Sequence, residues 1–297
     1  MAVTYNSEAV IGGLLDSLPA AMGSEGQTVE HTVVVVDNGS TDGTVKLVED
    51  RPGVRLVRST NVGYSGGLNR GVQEAGDGAT SILILNPDLR LAPGAVPAML
   101  AALRRPRIGI VAPKVFGEDG ELHHSLRREP SLLRNTGLAF TGRPALSEYV
   151  SDPVEYELPH VVDWALGAVL LMSRDCYDAL GGWDESYFLY SEETDFCLRA
   201  RERGYLTWYE PSAQATHLGG GSGQSGSTHA MQIVNRVRLY RRRHGRPASY
   251  AYYGLTVLSE LSWVARGHTK SRTSLRALVR PSQRPKELGC GTGVLPR

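Results

Sequence analysis

Short runs of β-branched residues alternate with amphipathic stretches through the first hundred positions of the chain. The apolar runs lie at 2–4, 33–36, 54–57 and 82–85, and each is short enough to be a buried strand. Between them, apolar side chains recur every three or four residues, as in helices that pack on a sheet. The alternation predicts an α/β fold with a mostly parallel sheet flanked by helices. The first run has three residues where five or six are usual, so we expect the natural start to lie upstream.

The alternation loosens in the rest of the chain. Residues 117–160, rich in proline, glycine and charge, predict an irregular insertion over the sheet. A helix is predicted at 191–203, a mobile glycine loop at 219–223, and a basic helix at 228–244 followed by an amphipathic aromatic stretch at 248–265. The chain is therefore divided into three segments, an α/β domain at 1–227, a helical extension at 228–280 and a disordered tail at 281–297.

Charge is distributed unevenly along the chain. Residues 1–235 hold 18 basic and 29 acidic side chains, whereas residues 236–286 hold 13 basic and one acidic. Six arginines at 236–246 followed by aromatic anchors suit the surface of an anionic membrane. The alternative is a solvated arginine face beside a helix that packs on the domain or on a second copy in a homo-oligomer, and the sequence does not decide between them. Six arginines without a recognisable binding fold do not indicate nucleic acid.

Cysteine content and hydropathy indicate the compartment. The three cysteines, Cys176, Cys197 and Cys290, have no metal-type spacing and leave an odd count, which argues against a disulfide framework. The sequence has neither a spanning apolar run nor a basic-then-apolar signal pattern at its beginning. We therefore expect a cytoplasmic protein, which the basic extension could hold at the inner face of the plasma membrane.

Three polar turns, at 37–40, 61–71 and 86–88, follow predicted strands. Open parallel sheets bind ligands at the carboxyl ends of their strands, so we expect these turns to converge on one crevice. The glycines of the second turn would let the backbone approach a phosphate, and Asp37 could accept hydrogen bonds from a ribose hydroxyl or a base N–H. The chain lacks both the phosphate-loop lysine and the dinucleotide glycine pattern, which disfavours ATPases and dehydrogenases.

Two further positions suggest chemistry. Asp88, directly after an apolar strand, is suited to holding a divalent cation together with substrate phosphates, and His217 could be a second ligand. Each also has an ordinary interpretation, as a solvated turn aspartate or a structural histidine. The acidic cluster at 192–195 could be a charged helix face in which Asp195 pairs with Arg199. It follows the aromatic run 187–190, however, and exclusion of water there would raise a glutamate pKa towards that of a general base.

Seven motifs occur in an order that resembles inverting glycosyltransferases of family 2, which have the Rossmann-like GT-A fold. The resemblance covers about residues 1–245 and rests on 3–6, 35–43, 61–71, 85–88, 181–185, the cluster at 192 and His217. Within that family the chain most resembles actinobacterial rhamnosyltransferases acting on GlcNAc linked to a polyprenyl diphosphate. Its short start, residues 130–134 and the basic C-terminal region carry this finer likeness.

The resemblance implies transfer of a sugar to a hydroxyl of a glycan or of a polyprenyl-diphosphate-linked acceptor. The sugar it favours is L-rhamnose, with dTDP-rhamnose as the donor. Asp88 and His217 would hold Mg²⁺ or Mn²⁺, and Glu193 would be the general base, with Glu192 in reserve. The nucleotide sugar would be bound by Thr4, Tyr5, Asn6, Asp37, Asn38, Gly39, Asn61, Gly63, Gly67, Asn69, Asn86 and Trp164.

The sequence departs from the family pattern at two positions. Asn86 stands where many members have a first aspartate of Asp-x-Asp, which removes one charge from the metal turn. Glu193 stands where many have aspartate, so a longer side chain must reach the acceptor. Two alternatives stay open, a transferase that uses a UDP-sugar and a nucleotide-sugar-binding module without activity. Retention of both the metal turn and the glutamates argues against the second, and a nucleotidyltransferase would have no evident use for the late glutamates.

Overall fold

The computed structural model describes residues 1–24, 27–219 and 225–290. In this part of the chain a nine-stranded sheet lies between two layers of helices. The strands are β1 Ala2–Thr4, β2 Gly23–Ser24, β3 Gln27–Thr28, β4 Val33–Asp37, β5 Val54–Arg58, β6 Ser81–Leu85, β7 Leu89–Leu91, β8 Ile108–Gly117, β9 Leu126–Arg127, β10 His160–Val162, β11 Trp164–Ala165, β12 Val169–Ser173 and β13 Leu206–His217. The helices are α1 Glu8–Met22, α2 Thr44–Glu49, α3 Gly63–Ala75, α4 Ala95–Leu103, α5 Arg174–Leu180, α6 Glu192–Glu202, α7 Gly226–Arg243, α8 Arg246–Ala265 and α9 Thr269–Val279.

The parallel part of the sheet confirms the predicted α/β fold. The strand order is β10, β13, β8, β12, β6, β1, β4 and β5, with β7 paired to β13. Strands β6, β1, β4 and β5 are parallel, so their carboxyl ends share one edge, where Thr4 pairs with Asp37. Strand β12 runs antiparallel between β6 and β8 and brings its beginning to that same edge. The edge therefore collects the carboxyl ends of four predicted strands and the residues that precede β12.

Both faces of the sheet are covered by apolar side chains, which explains the uninterrupted valine and isoleucine runs of the strands. On one face, α1 and α4 supply Ile11, Leu14 and Met99 to a core cluster. On the other, α3 and α6 supply Leu68 and Phe196. The spacing of these side chains is the three- and four-residue period seen in the sequence.

The predicted insertion is irregular, as expected, but it is anchored at both ends. Strand β9 pairs with β11, and the rest is irregular apart from four short 3₁₀ turns. Its Asn135 side chain donates hydrogen bonds to the Tyr252 carbonyl (3.0 Å) and the Thr256 hydroxyl (2.9 Å) of α8. The insertion thus bridges the sheet and the C-terminal helices.

The C-terminal extension is helical, as predicted, and forms its own apolar cluster from α7, α8 and α9. Partly buried side chains of residues 188–190 pack against this cluster. The first part of the predicted tail is not a tail, because residues 281–290 form 3₁₀ turns and Leu288 is 2% exposed within the cluster. Residues 291–297, and the predicted glycine loop apart from Gly219, lie outside the described residues. No described helix has the length and apolar composition needed to cross a bilayer.

Candidate active site

The turn after β4 is organised around the Asp37 carboxylate. It accepts hydrogen bonds from the backbone N–H groups of Gly39 (3.1 Å) and Ser40 (2.9 Å), from the Ser40 hydroxyl, and from the hydroxyl of buried Thr4 (3.1 Å). A carboxylate offers about four lone-pair sites, and these bonds occupy them. Asp37 therefore shapes the turn, and its contact with the nucleoside stays a prediction. Gly39 has φ +84°, a conformation that favours glycine.

Neighbouring residues at this edge leave polar groups for a ligand. Asn38 is buried and donates to the Gly63 carbonyl at 2.9 Å, while its Oδ1 is buried without a partner among the described residues. Tyr5, which follows the paired strand β1, is 55% exposed, and Asn6 accepts a bond from the Thr41 N–H at 2.8 Å. An unpaired buried amide oxygen is costly unless a ligand supplies a donor.

The glycine-rich turn at the start of α3 serves close packing. A Cβ at Gly63 would lie 2.4 Å from the Phe188 carbonyl oxygen, and one at Gly67 would lie 2.7 Å from Val3. Asn61 accepts a bond from the Gly63 N–H at 3.1 Å. These contacts give the glycines a packing role, where the sequence led us to expect close approach to a phosphate.

Asn69, which the family resemblance places at the nucleotide, makes its side-chain hydrogen bonds within the protein. Its Oδ1 accepts bonds from the Tyr177 hydroxyl (3.0 Å) and the Trp183 N–H (2.9 Å). Its Nδ2 donates to the Trp183 carbonyl and to Glu185, both at 2.9 Å. All of its polar groups are used to join α3 to residues 183–185.

The turn after β6 and the end of β13 bring Asp88 and His217 together. The Asp88 Oδ1 lies 3.1 Å from His217 Nε2, and Asp88 is 9% exposed. Burial opposes ionisation of Asp88, but the hydrogen bond and charge of His217 outweigh it, so the Asp88 pKa lies below its usual value. His123 stacks on His217, with 5.6 Å between the ring centres.

Glu192 and Glu193 begin α6, and each has an Oε2 atom that is buried without a hydrogen-bond partner among the described residues. Burial, and then the charge of Glu193, raise the pKa of Glu192 well above its usual value. Burial also raises the pKa of Glu193, but backbone hydrogen bonds and the charge of Arg127 oppose this. Of the two carboxyl groups, Glu193 is therefore the one whose ionised form is better supported.

A pocket of about 320 Å³ joins several of the predicted residues. Those on its wall are Asn86, Trp164, Glu192, Glu193 and His217. Tyr64 connects them electrostatically, since burial and the charges of Glu192, Glu193 and Asp88 all raise the pKa of its hydroxyl. That hydroxyl stays protonated and donates a hydrogen bond to the Gly167 carbonyl at 3.2 Å. Residues 4–6 and 37–39 do not line the pocket and lie at the carboxyl ends of β1 and β4, farther along the edge from β6.

Four charged or aromatic pocket residues carry no local signal that marks them as functional. They are Arg127, Glu148, Tyr149 and Arg236, contributed by the insertion and by α7. Arg236 lies 2.9 Å from Glu148, and the Arg127 guanidinium lies 3.9 Å from the centre of the Tyr149 ring. Only the folding of the insertion against α7 brings these side chains together.

Four arginines of α7 bind the α/β domain, which decides for these side chains between the two interpretations that the sequence left open. Arg238 is 6% exposed and donates to the Ser186 carbonyl at 2.9 Å. Three others form ion pairs, Arg236 with Glu148 at 2.9 Å, Arg242 with Asp184 at 2.6 Å and Arg243 with Glu202 at 2.6 Å. For these four side chains the packing interpretation is the correct one.

Solved structures share the fold. A mannosyltransferase of Pyrobaculum calidifontis, solved with GDP-Man and Mn²⁺, has a TM-score of 0.56 at 17% identity, over 99% of this chain and 82% of that one. TarS of Staphylococcus aureus, solved with UDP-GlcNAc, has a TM-score of 0.52 at 16% identity, over 99% of this chain and 86% of that one. At such identities the likeness establishes the fold alone, and it is the GT-A fold of nucleotide-sugar-dependent transferases.

Sequence comparison establishes the family. Residues 2–152 match the family model for glycosyl transferase family 2. An N-acetylglucosaminyl-diphospho-decaprenol L-rhamnosyltransferase of Mycobacterium tuberculosis is 34% identical over 235 residues, 73% of this chain and 74% of that one. A rhamnosyltransferase of Escherichia coli is 29% identical over 46% of this chain and 51% of its own length. The chain belongs to glycosyl transferase family 2 and transfers a sugar from a nucleotide-sugar donor.

Proposed function

We infer that the protein is a metal-dependent inverting rhamnosyltransferase. It would move L-rhamnose from dTDP-rhamnose to a hydroxyl of a lipid-linked glycan whose lipid is a polyprenyl diphosphate. The sugar and the acceptor are suggested by the mycobacterial relative, whose name specifies L-rhamnose and a diphospho-decaprenol carrying GlcNAc, and dTDP is the nucleotide that the family resemblance implies. One observation carries the mechanism: Glu193 and His217, the latter bonded to Asp88, face the same pocket.

Inverting transfer needs a base on the side of the sugar away from the leaving diphosphate. Glu193 would take the proton of the acceptor hydroxyl as its oxygen attacks the anomeric carbon. Two adjacent carboxylates do not both ionise easily in a buried site, so Glu192 would hold a proton and leave Glu193 as the base. The neutral Tyr64 hydroxyl beside them does not compete for the proton.

The residues at the metal turn fit a cation that is completed by the substrate. Among the described residues, no cluster of three or more His, Cys, Asp or Glu side chains could hold a cation alone. Asp88 is ionised and lies beside His217, which gives one carboxylate and one imidazole. Mg²⁺ is commonly bound by one or two carboxylates together with substrate phosphates. Bound there, Mg²⁺ or Mn²⁺ would neutralise charge on the departing diphosphate.

The nucleoside would lie along the edge beyond the pocket, over the turn that Asp37 shapes. Asn38 has the unpaired amide oxygen there, and the exposed Tyr5 ring lies at the end of the neighbouring strand β1. An amide oxygen accepts the N–H of a base, and an aromatic ring can stack on it. In this placement the reacting sugar lies in the pocket and the nucleobase lies at the end of β4.

The lipid of the acceptor would approach from the side of the C-terminal helices. Leu258 of α8 and Phe140 of the insertion are 63% and 83% exposed, and Asn135 joins the two elements. Trp263 is 39% exposed with the Arg266 guanidinium 4.8 Å from its ring centre. Apolar and aromatic side chains beside cations suit an anionic membrane surface.

A donor panel tests the proposed function. Purified protein with Mg²⁺ or Mn²⁺ is heated alone and with dTDP-rhamnose, UDP-sugars and GDP-sugars, and transfer to GlcNAc-diphospho-lipid is followed by mass spectrometry. A ligand at 100-fold its Kd stabilises a protein by about 2.7 kcal/mol, so dTDP-rhamnose should give the largest shift and the only product. Transfer from a UDP-sugar, and not from dTDP-rhamnose, would show that the proposed donor is wrong. Binding without any transfer would favour the inactive module.

A further inference from the structure

Arg127 is a buried cation in the pocket wall. The residue is 7% exposed, and its Nη1 donates to the His124 and Leu126 carbonyls. Among the residues that the structure describes, no carboxylate oxygen lies within 4.0 Å of its guanidinium nitrogens. Charged side chains are rarely buried without a counter-ion, because desolvation is costly. Burial accordingly lowers the Arg127 pKa, despite opposing contributions that include Tyr149 and Glu148.

Arg236 faces the same pocket from α7 and already has a counter-ion. Its guanidinium lies 2.9 Å from Glu148, so this pair is neutral as a unit. The three side chains together carry one excess positive charge, which belongs to Arg127. A guanidinium matches the oxygens of a phosphate group better than any other side chain does, since its planar fork can donate two parallel hydrogen bonds.

The position of Arg127 points to the acceptor rather than the donor. Its charge acts on Glu193, which under the proposed function receives the proton of the acceptor hydroxyl. The surrounding wall is made by the insertion and α7, and the insertion also carries the exposed apolar Phe140. A lipid-bearing acceptor would therefore present its anionic group on this side of the base.

We propose that Arg127, supported by the Arg236–Glu148 pair, forms a subsite for a phosphate group of the acceptor. This inference rests on the proposed function, because it presumes that Glu193 activates the acceptor. Such a subsite would recognise the negative charge of the phosphate next to the acceptor sugar, whichever sugar and lipid the acceptor has.

Two acceptors that differ only in phosphate test the subsite. Wild type, Arg127→Ala and Arg127→Lys are assayed with GlcNAc-diphospho-lipid and with a neutral GlcNAc glycoside that has the same lipid chain and the same anomeric configuration. Arg127→Ala should lose about 10- to 100-fold in kcat/KM for the diphosphate acceptor and little for the neutral one. Arg127→Lys should lie between, because it keeps the charge without the fork. Arg128→Ala is the matched control, since Arg128 is the next residue but does not line the pocket.

The outcomes separate the subsite from the function. If wild type transfers to neither acceptor, the proposed function fails. If it transfers to both equally well, or if Arg127→Ala keeps the preference for diphosphate, the subsite is overturned while the function stands. A raised KM for the donor with the acceptor preference retained also overturns it, because the arginine would then serve the donor. Equal melting temperatures of the variants exclude misfolding as the cause.

A second observation concerns the turn that leads into Glu192 and Glu193. Phe188, Tyr190 and Ser191 have φ of 58°, 68° and 74°, in the left-handed region that non-glycine residues rarely adopt. Such residues cost of order 1–3 kcal/mol each and persist only where neighbours hold them. The turn therefore needs contacts that hold it in this conformation, and a residue of α7 provides them.

Asn235 of α7 is fully buried and its Nδ2 donates to three carbonyls of this turn. The distances are 2.7 Å to Tyr187, 3.0 Å to Leu189 and 3.0 Å to Tyr190. Its Oδ1 accepts a bond from Arg238 at 2.8 Å, which fixes the orientation of the amide. The structure assigns Asn235 as a positioning residue that holds the base-bearing end of α6 against the pocket.

Two substitutions test this role. Asn235→Ala removes the donors, and Asn235→Asp keeps the shape but presents oxygen to the three carbonyls. A displacement of about 1 Å at a reacting group can cost about 10²-fold, so both should lower kcat by about 10- to 100-fold with donor KM within twofold. Asn135→Ala is the control, because Asn135 also donates to a carbonyl but on α8. Unchanged kcat in the folded variants, or an equal rise in donor KM, would overturn the assignment.

Discussion

Glu192 and Glu193 show how two identical side chains acquire different protonation states from their surroundings. Both are removed from water, which disfavours the charged form. Backbone hydrogen bonds oppose the rise in pKa at both residues, but only Glu193 is also stabilised as a carboxylate by the charge of Arg127, while the charge of Glu193 adds to the cost of ionising Glu192. A single proton on the pair, held by Glu192, is consistent with both pKa shifts and leaves Glu193 as the base.

Replacing Glu193 by glutamine should lower turnover by about 10²- to 10⁴-fold, the usual contribution of a general base. The amide keeps the size of the side chain, so donor affinity measured by calorimetry should stay within twofold. Glu192→Gln is the comparison variant and should lose much less, because Glu192 is already neutral. Near-normal turnover of Glu193→Gln would remove the residue from this role.

The pH dependence of turnover follows from the same pair. The base must be unprotonated, so kcat should fall as the pH drops through the Glu193 pKa. Since burial raises that pKa, the fall should begin above the usual glutamate value of about 4.3. Steady-state kinetics with saturating substrates across the acidic range, at pH values where the fold is intact by circular dichroism, measures this. An acid limb at or below the ordinary value contradicts a buried base.

Asp88→Asn should separate metal binding from nucleotide binding. The substitution removes the negative charge but keeps a side chain that can bond His217. Loss of even an outer-shell partner costs about 10- to 100-fold in metal affinity, and loss of the carboxylate should cost at least that much in metal-dependent donor affinity. Calorimetry with and without Mn²⁺ checks it. Equal donor affinities of wild type and variant with metal present would rule out Asp88 as the ligand.

At the scale of elements, α7 shows why a charge pattern in the sequence was misleading. Arginines at 236, 238, 242 and 243 are long enough to reach carboxylates and carbonyls of the α/β domain. Their partners lie about 40 to 90 positions earlier, so nothing in the local sequence marks them. What remains for a membrane is the apolar surface of the insertion and α8, with cations such as Arg266 beside it.

That apolar surface predicts the effect of one substitution on membrane binding. Phe140 is 83% exposed, and burying such a side chain is worth about 1.5–3 kcal/mol, so Phe140→Ser should weaken binding about tenfold or more. Flotation with phosphatidylglycerol–phosphatidylcholine vesicles measures it. Leu158→Ser is the control, since Leu158 is 72% exposed elsewhere in the insertion. Wild type that does not float with anionic vesicles contradicts the membrane proposal.

At the scale of the whole molecule, local patterns predicted the frame of the site and non-local contacts decided its details. The strands, the turn at Asp88 and the helix at Glu192 follow from runs and breaks that the sequence shows directly. Three details depend on the register between distant segments. They are the hydrogen bonds that occupy the Asp37 carboxylate, those of Asn69 to residues 183–185, and the ion pair of Arg236 with Glu148. Hydropathy and motif order do not encode that register.

In the proposed mechanism, Glu193 and the Asp88–His217 pair act on one sugar from opposite sides. Proton NMR of the product formed by wild type from the accepted nucleotide sugar tests it directly, through the anomeric coupling of the new glycosidic bond. Direct displacement requires the product to have the anomeric configuration opposite to that of the donor. Retention of the donor configuration would rule out this mechanism, because direct displacement by a hydroxyl that Glu193 deprotonates inverts the anomeric carbon.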